Sequence, residues 1–376
     1  MVSEEEIRTA LSSVMDPEIR RSITDLNMVG DIDIAEDGGV TIEIILTISG
    51  CPLINQIDSD VKNLVSSMDG VTSVTIRERS MTQDERVALQ QKLRPGLQDK
   101  REISFAKPGS KTRIYAIASG KGGVGKSSVS ANLAAIMAQQ GLKVGLVDGD
   151  IYGYSIPRMM GVDQPPTGIQ NMIIPPVAHN VKVISMGMFL PDNQPIVWRG
   201  PMLHRALEQF FSDVYWDELD ALLIDLPPGT GDVAISIAEL LPTSDILVVT
   251  TPQVSSSEVA ERAGQLAKQT HQNVIGVVEN MSYLVMPDGT HNPIFGQGGG
   301  ALAAAQLSSD LGYHVPLLGQ VPIEPALREA SDAGQPFAIQ DGDTPAQKAL
   351  RRIGLQLAAA SRPDLQNSEQ APVSAA

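Results

Sequence analysis

The run Gly120-Lys121-Gly122-Gly123-Val124-Gly125-Lys126-Ser127, continued by Ser128, carries residue types that handle phosphate. Its glycines let the backbone bend so that successive amide N–H groups face one anion, and a helix starting there adds partial positive charge. Lys126 would bring a point charge to the β- and γ-phosphates of a nucleoside triphosphate, and the Ser127 hydroxyl would ligate Mg²⁺. Gly120-x-x-x-x-Gly125-Lys126-Ser127 fulfils the Walker A pattern in full. Two apolar segments end in carboxylates: Val144–Asp148 is followed by Gly149 and Asp150, and Ala221-Leu-Leu-Ile ends at Asp225. Carboxyl ends of strands form the ligand crevice of open parallel sheets. Asp225 has the Walker B position, which holds Mg²⁺, usually through water. One strand-terminal aspartate is often only a cap or turn former. Three of them beside a full Walker A pattern point to a site.

These residues need elements that converge on one crevice. From Arg113 onward short apolar runs alternate with helix-length segments: Ile114–Ala118, Val144–Asp148, Val181–Ser185, Ala221–Asp225, Ile246–Thr250, Val274–Val278 and Leu317–Val321. Runs apolar on both faces predict an α/β domain with a doubly wound, mostly parallel sheet. Ser127–Gln140 reads as the amphipathic helix after the phosphate loop. Before this domain, residues 1–80 read as a small α+β unit. It has a helix over Glu4–Val14 and a hairpin of Val29–Ile34 and Val40–Leu46 around Glu36-Asp37-Gly38-Gly39. A helix over Asn55–Met68 and a strand over Val71–Ile76 complete it. Residues 81–112 turn polar and read as a helical, then irregular, linker. The domain closes near residue 360, and 361–376 is polar without an apolar period, the composition of a disordered tail. The glycines at 296–300 precede a helix over Ala301–Leu311. With no lysine or acceptor aspartate beside them they read as a tight helix start, not a second anion site.

Composition narrows the partners. A formal net charge of -16 argues against general nucleic-acid binding, which needs a basic surface. The acidic start Met1-Val2-Ser3-Glu4-Glu5-Glu6 argues against a secretory signal, and no stretch reaches the roughly 20 apolar residues that span a bilayer. With the single cysteine Cys51 no intramolecular disulfide forms, which fits a reducing cytoplasm.

The pattern Lys121-Gly-Gly-Val-Gly-Lys126 resembles the deviant Walker motif of the MinD, ParA and nitrogenase-iron-protein group of dimeric ATPases. That resemblance implies a homodimer in which Lys121 reaches the partner's nucleotide, with Asp150 orienting the attacking water and Asp148 supporting the site. It places Asn280 against adenine, with Pro322 and Glu324 closing the base pocket, and so implies ATP. Longer strings narrow the likeness: Asp148–Gly161, Trp198-Arg-Gly-Pro-Met202, Leu223–Asp232, Glu279-Asn-Met-Ser282 and Phe295–Gly300. Over about Arg113–Ala360 these resemble the Mrp/ApbC family of iron–sulfur cluster carrier ATPases, which implies cluster transfer to apoprotein recipients. Asp16-Pro-Glu18, Asp25–Val29 and Thr47-Ile-Ser-Gly-Cys51-Pro-Leu53 are similar to the small iron–sulfur assembly-associated domain many bacterial members carry.

This chain departs from that family in two places. Met286 and Gly289 stand where the family has a Cys-x-x-Cys pair, and a thioether is a poor iron ligand compared with thiolate. Tyr154 stands where the family has Pro. The resemblance to the small assembly-associated domain, in which the cysteine of this Gly-Cys-Pro turn handles metal or cluster, makes Cys51 the expected cluster ligand, against the alternative of a small buried hydrophobe. Two rival functions stay open: a nucleotide-switched scaffold or metal chaperone without its own cluster, and a MinD/ParA-type positioning ATPase. The second usually carries a terminal amphipathic membrane helix or a basic surface, and Pro363–Ala376 is neither.

Overall fold

The computed structural model describes residues 2–47, 54–94, 102–107, 109–150, 153–189, 200–229, 231–253 and 256–361. The chain forms two compact units. The smaller comprises Met1–Arg101 together with Pro166–Pro175 and Asp213–Tyr215. Its first helix α1 (Glu4–Leu11) opens on a capping box in which Ser3 and Glu6 satisfy each other's backbone amides. It stops at Leu11 rather than Val14 because the Ser12 and Ser13 hydroxyls turn back onto the carbonyls of Thr9 and Ala10. Strands β1 (Val29–Ile34) and β2 (Gly39–Leu46) pair antiparallel as the expected hairpin. Helix α2 (Ile54–Ser66) then returns the chain to β3 (Ser73–Ser80), which runs parallel to β2 from Gly39↔Ser73 to Leu46↔Ser80. The segment after Ser80 begins with a well-capped helix, α3 (Gln83–Leu93). Its Leu89 and Leu93 are buried in the same core as Ile7, Ile42 and Val61.

The larger unit comprises Glu102–Pro165, Pro176–Ser212 and Trp216–Ala376. In chain order it starts with β4 (Arg113–Ala118), α4 (Lys126–Gln139), β5 (Val144–Asp148) and α5 (Ile156–Met159). The antiparallel pair β6 (Thr167–Ile169) and β7 (Met172–Ile174) follows, counted in the smaller unit, where Ile169, Met172 and Ile174 are buried. Next come β8 (Val177–Ala178), β9 (Val181–Ser185), α6 (Gly200–Ser212), β10 (Ala221–Asp225), α7 (Asp232–Leu240), β11 (Asp245–Thr250) and α8 (Ser256–Thr270). The chain continues with β12 (Val274–Val285), β13 (His291–Asn292), α9 (Gly299–Leu311), β14 (Leu317–Ile323), α10 (Pro325–Asp332) and α11 (Pro345–Ser361).

The strands lie in the order β13-β12-β11-β4-β10-β5-β9-β8, with β14 also on β12. All pairings inside the sheet are parallel, and only the short β8 and β13 are antiparallel. The expected doubly wound sheet is thus what forms. The strands β4, β5, β9, β10 and β11 are buried along nearly their whole length, which is why they read as unbroken apolar runs.

Helix α4 differs from the amphipathic reading. Val129–Ala138 is buried on every side, because α4 packs on the sheet and α11 covers its other face. Gly354 of α11 permits that approach, since a Cβ there would lie 2.6 Å from Ile136 Cγ2. Strand β12 continues past Val278 through a register shift between Asn280 and Leu284, with Met281 at a left-handed φ of 56°. The glycines before α9 make a tight start whose amide is already occupied. Buried Glu279 accepts the Gly300 N–H at 2.6 Å and the Gln320 side-chain amide at 2.7 Å. Among the described residues no helix is long and apolar enough to cross a membrane.

Candidate nucleotide site

The phosphate loop leaves the carboxyl end of β4 and runs into α4. Gly123 and Gly125 take left-handed φ of 79° and 77°, and Gly125 is the N-cap of α4. Side chains with a β carbon pay about 1–2 kcal/mol in that conformation, so the loop needs glycine there. Four contacts hold the loop and the end of β4 that leads into it. The Gly229 amide donates to the Ser119 carbonyl at 2.8 Å, and the Ser119 hydroxyl to the Lys121 carbonyl at 3.1 Å. Arg262 of α8 donates to the Gly120 carbonyl at 2.7 Å. Asn280 Nδ2 donates to the Val124 carbonyl at 2.9 Å.

Beyond the loop, Lys126, Ser127 and Ser130 converge on Asp225. The sheet register sets this up, since Asp225 pairs with Asp148 on one side and Ile117 on the other, so the ends of β4, β5 and β10 lie level. Lys126 Nζ is 2.7 Å from Asp225 Oδ2, and the Ser127 hydroxyl donates to the same oxygen at 2.6 Å. The Ser130 hydroxyl, one helical turn after Lys126, donates to Oδ1 at 2.6 Å. Asp225 is fully buried, and a buried carboxylate needs this many donors.

A carboxylate and a hydroxyl already in contact form the oxygen donor pair a Mg²⁺ ion takes up, leaving its other positions to phosphate and water. Among the described residues no group of three or more His, Cys, Asp or Glu could hold a metal ion. The Ser127 hydroxyl and the Asp225 carboxylate are two oxygen donors that fit a Mg²⁺ ion.

Asp148 lies behind this cluster and shapes the following turn. Its Oδ2 accepts the amides of Ser155 and Ile156 at 3.0 and 3.1 Å and the Ser185 hydroxyl at 3.3 Å, while Oδ1 accepts the Asp150 amide at 3.1 Å. Burial, with the neighbouring Asp225 charge adding to it, pushes the Asp148 carboxyl up to about 7 against these amide contacts. Asp150 is half-buried and accepts the Gly153 amide at 3.0 Å. Lys121 donates to Gln253, which follows β11.

Of the residues expected at the base, Asn280 is buried with its carboxamide on the phosphate loop, and Pro322 is buried in β14, next to Val321, which registers with Asn280. Glu324 N-caps α10. Ser130, Arg262 and Gln253 belong to no motif of the sequence. Only Ser130 had a local signal, its spacing of four from Lys126 on one helix face. Met286 and Gly289 lie in a tight turn, where the Gly289 amide donates to the Met286 carbonyl and Asp288 accepts from Thr290. Tyr283 and His291 stack across the hairpin at 3.9 Å. Tyr154 is half-exposed, its ring against Gly187. Cys51 lies outside the described residues.

A parallel sheet, a Walker A loop at the carboxyl end of its β4 strand and a level Walker B aspartate define a P-loop NTPase. Comparison with known proteins sharpens that class. The chain belongs to the family described as NUBPL iron-transfer P-loop NTPase, whose model matches residues 110–358. A second model, described as iron–sulfur cluster assembly protein, matches residues 4–76. The chain is 55% identical over 349 residues to an iron–sulfur cluster carrier protein of Mycobacterium tuberculosis, covering 92% of this chain and 91% of the relative. It is 39% identical over 365 residues to a protein of the same name from Synechocystis, covering 95% and 98%. Among solved structures, a nucleotide-binding protein from Archaeoglobus fulgidus in complex with ADP is similar at 32% identity and a TM-score of 0.52. That match covers 62% of this chain and 93% of the other.

Proposed function

We propose that this chain is an ATP-hydrolysing iron–sulfur cluster carrier that works as a homodimer and passes clusters to apoproteins in the cytoplasm. The convergence of Lys126, Ser127 and Ser130 on Asp225 at the end of a Walker A loop carries the nucleotide half of this reading. Family membership and relatives named as carriers support the cluster half.

The chemistry is in-line attack of water on the γ-phosphate. On nucleotide binding Lys126 exchanges its Asp225 partner for phosphate oxygens, and the amides of Gly120–Ser128 surround the phosphate chain. Ser127 and Asp225 would hold Mg²⁺, which supplies charge neutralisation on the β- and γ-phosphates when bound. Asp150 orients the attacking water, with Asp148 fixing its backbone. Lys121 leaves Gln253 for the partner's nucleotide as the dimer closes. Pro322 stands beside the base. Slow hydrolysis then opens the dimer and couples nucleotide state to cargo release.

The cluster is cargo, and the chain offers one thiol for it. Cys51 of each copy would supply a thiolate, since Met286 and Gly289 cannot. Anaerobic reconstitution with iron and sulfide tests this through visible absorbance and bound iron. The wild type should gain cluster absorbance, and Cys51→Ala should lose most of it. That substituted Met286–Gly289 turn also favours a second reading, a nucleotide-switched scaffold that holds no cluster. Absence of cluster absorbance in the wild type, with ATP hydrolysis intact, would decide for the scaffold.

A further inference from the structure

The buried contact between Asn280 and the phosphate loop has a consequence for how phosphate is held. Asn280 is 3% exposed, and its Nδ2 donates to the Val124 carbonyl at 2.9 Å. In a planar trans peptide the C=O and the following N–H point in opposite directions. A Val124 carbonyl drawn inward to Asn280 therefore turns the Gly125 N–H outward, away from the core. Gly125 follows at φ 77°, and with Gly122 and Gly123 upstream the loop has little stiffness of its own to resist a peptide flip. The packing is close: a Cβ on Gly125 would lie 2.2 Å from Asn280 Nδ2 and 3.6 Å from Met281 Cε. The left-handed turn of β12 at Met281, φ 56°, follows directly on Asn280, and the register of β12 against β14 shifts after this pair. Left-handed backbone at a residue with a side chain persists only where its surroundings enforce it.

We propose that Asn280 is a positioning residue of the phosphate loop. It fixes the Val124–Gly125 peptide so that the Gly125 amide faces the phosphates, and it acts on the phosphate chain whatever base the ligand carries. This rests on the nucleotide-site reading above, and it separates Asn280 from a role in choosing adenine.

The test compares ligands with and without a base. Asn280→Asp keeps the size and an acceptor oxygen but sets that oxygen against the Val124 carbonyl; Asn280→Ala removes the donor without the repulsion. Dissociation constants for Mg-ATP, Mg-GTP and Mg-tripolyphosphate are measured calorimetrically, below the melting midpoint of each variant. Binding by folded protein is thus separated from lost stability. The expected result is an equal weakening of all three ligands, about tenfold for N280D and less for N280A, since the loss of one buried donor typically moves binding by such a factor. Unchanged tripolyphosphate binding with a selective loss of ATP in both variants would overturn the proposal and return Asn280 to the base. Wild type that binds neither nucleotide nor tripolyphosphate would overturn the phosphate-site reading and this inference with it.

Discussion

Lys126→Met should reduce nucleotide hydrolysis to below about a thousandth of wild type, the scale seen when a principal charge-stabilising group is removed from a phosphoryl or acyl transfer site. It should also destabilise the nucleotide-free protein, and the two effects have separable origins. In the free chain the ammonium is 2.7 Å from Asp225 Oδ2, with Lys126 7% and Asp225 0% exposed in their side chains. Removing one partner of a buried ion pair leaves a charge with no counter-ion, at a cost of roughly 3 kcal/mol or more. The Ser127 and Ser130 hydroxyls stay on Asp225 and soften that loss without cancelling the charge. Adding Asp225→Asn should therefore restore most of the stability of Lys126→Met while leaving hydrolysis at its floor. Chemical denaturation of the two single variants and the double variant, alongside phosphate release, checks both halves. Hydrolysis persisting in Lys126→Met, or a double variant no more stable than Lys126→Met, would remove the central pair from the mechanism.

The second large effect is a pH dependence centred on Asp148. Its carboxyl is pushed from 3.8 up to about 7 in the fold, with burial as the leading cause and Asp225 next. The sign follows from which state ionises first. Below about pH 4 the group is protonated folded and unfolded, and it imposes no cost. Between about pH 4 and 7 the unfolded chain ionises while the fold keeps the proton, so stability falls as pH rises. Above about pH 7 both states are ionised, and the full cost, about 4 kcal/mol at 1.36 kcal/mol per unit, stays constant. Glu18 in the smaller unit, raised to about 7 by burial and by Asp16, titrates across the same window. The wild-type slope alone is thus shared, and the difference between wild type and Asp148→Asn isolates Asp148. The variant loses one acceptor oxygen among Asp150, Ser155 and Ile156, a pH-independent offset. Its denaturation free energy, measured without nucleotide from pH 4 to 8, should fall less steeply than the wild type's. Parallel curves would show that Asp148 does not carry the shift.

Much of this architecture was legible because it depends on local pattern. Val144–Asp148, Val181–Ser185 and Ala221–Asp225 were bounded to the residue, since strands buried on both faces leave unbroken apolar runs between polar ends. The phosphate loop was legible because its glycines, lysine and serine are consecutive. What escaped depends on partners distant in the chain. Arg262 reaches Gly120 across 142 residues, and Gln253 takes Lys121 across 132. The helix from Ser127 reads as amphipathic because Ser128 and Asn132 look solvent-facing, yet they bond Ser331 and the Ala338 amide. The tail of β12 was missed because Glu279, Asn280 and Ser282 interrupt the apolar run. All three are buried and bonded. The small pair β6 and β7 is too short for period two to show, and its tight Gln170 turn has no glycine signal.

The central claim is that nucleotide turnover at Lys126 governs release of a cluster held through Cys51. Its most direct test is transfer from anaerobically loaded protein to an apo-enzyme whose activity requires a cluster, followed with and without Mg-ATP. The account predicts that Mg-ATP accelerates recovery of enzyme activity in the wild type and has no effect on loaded Lys126→Met. Transfer that proceeds equally in both proteins, with or without ATP, would contradict it.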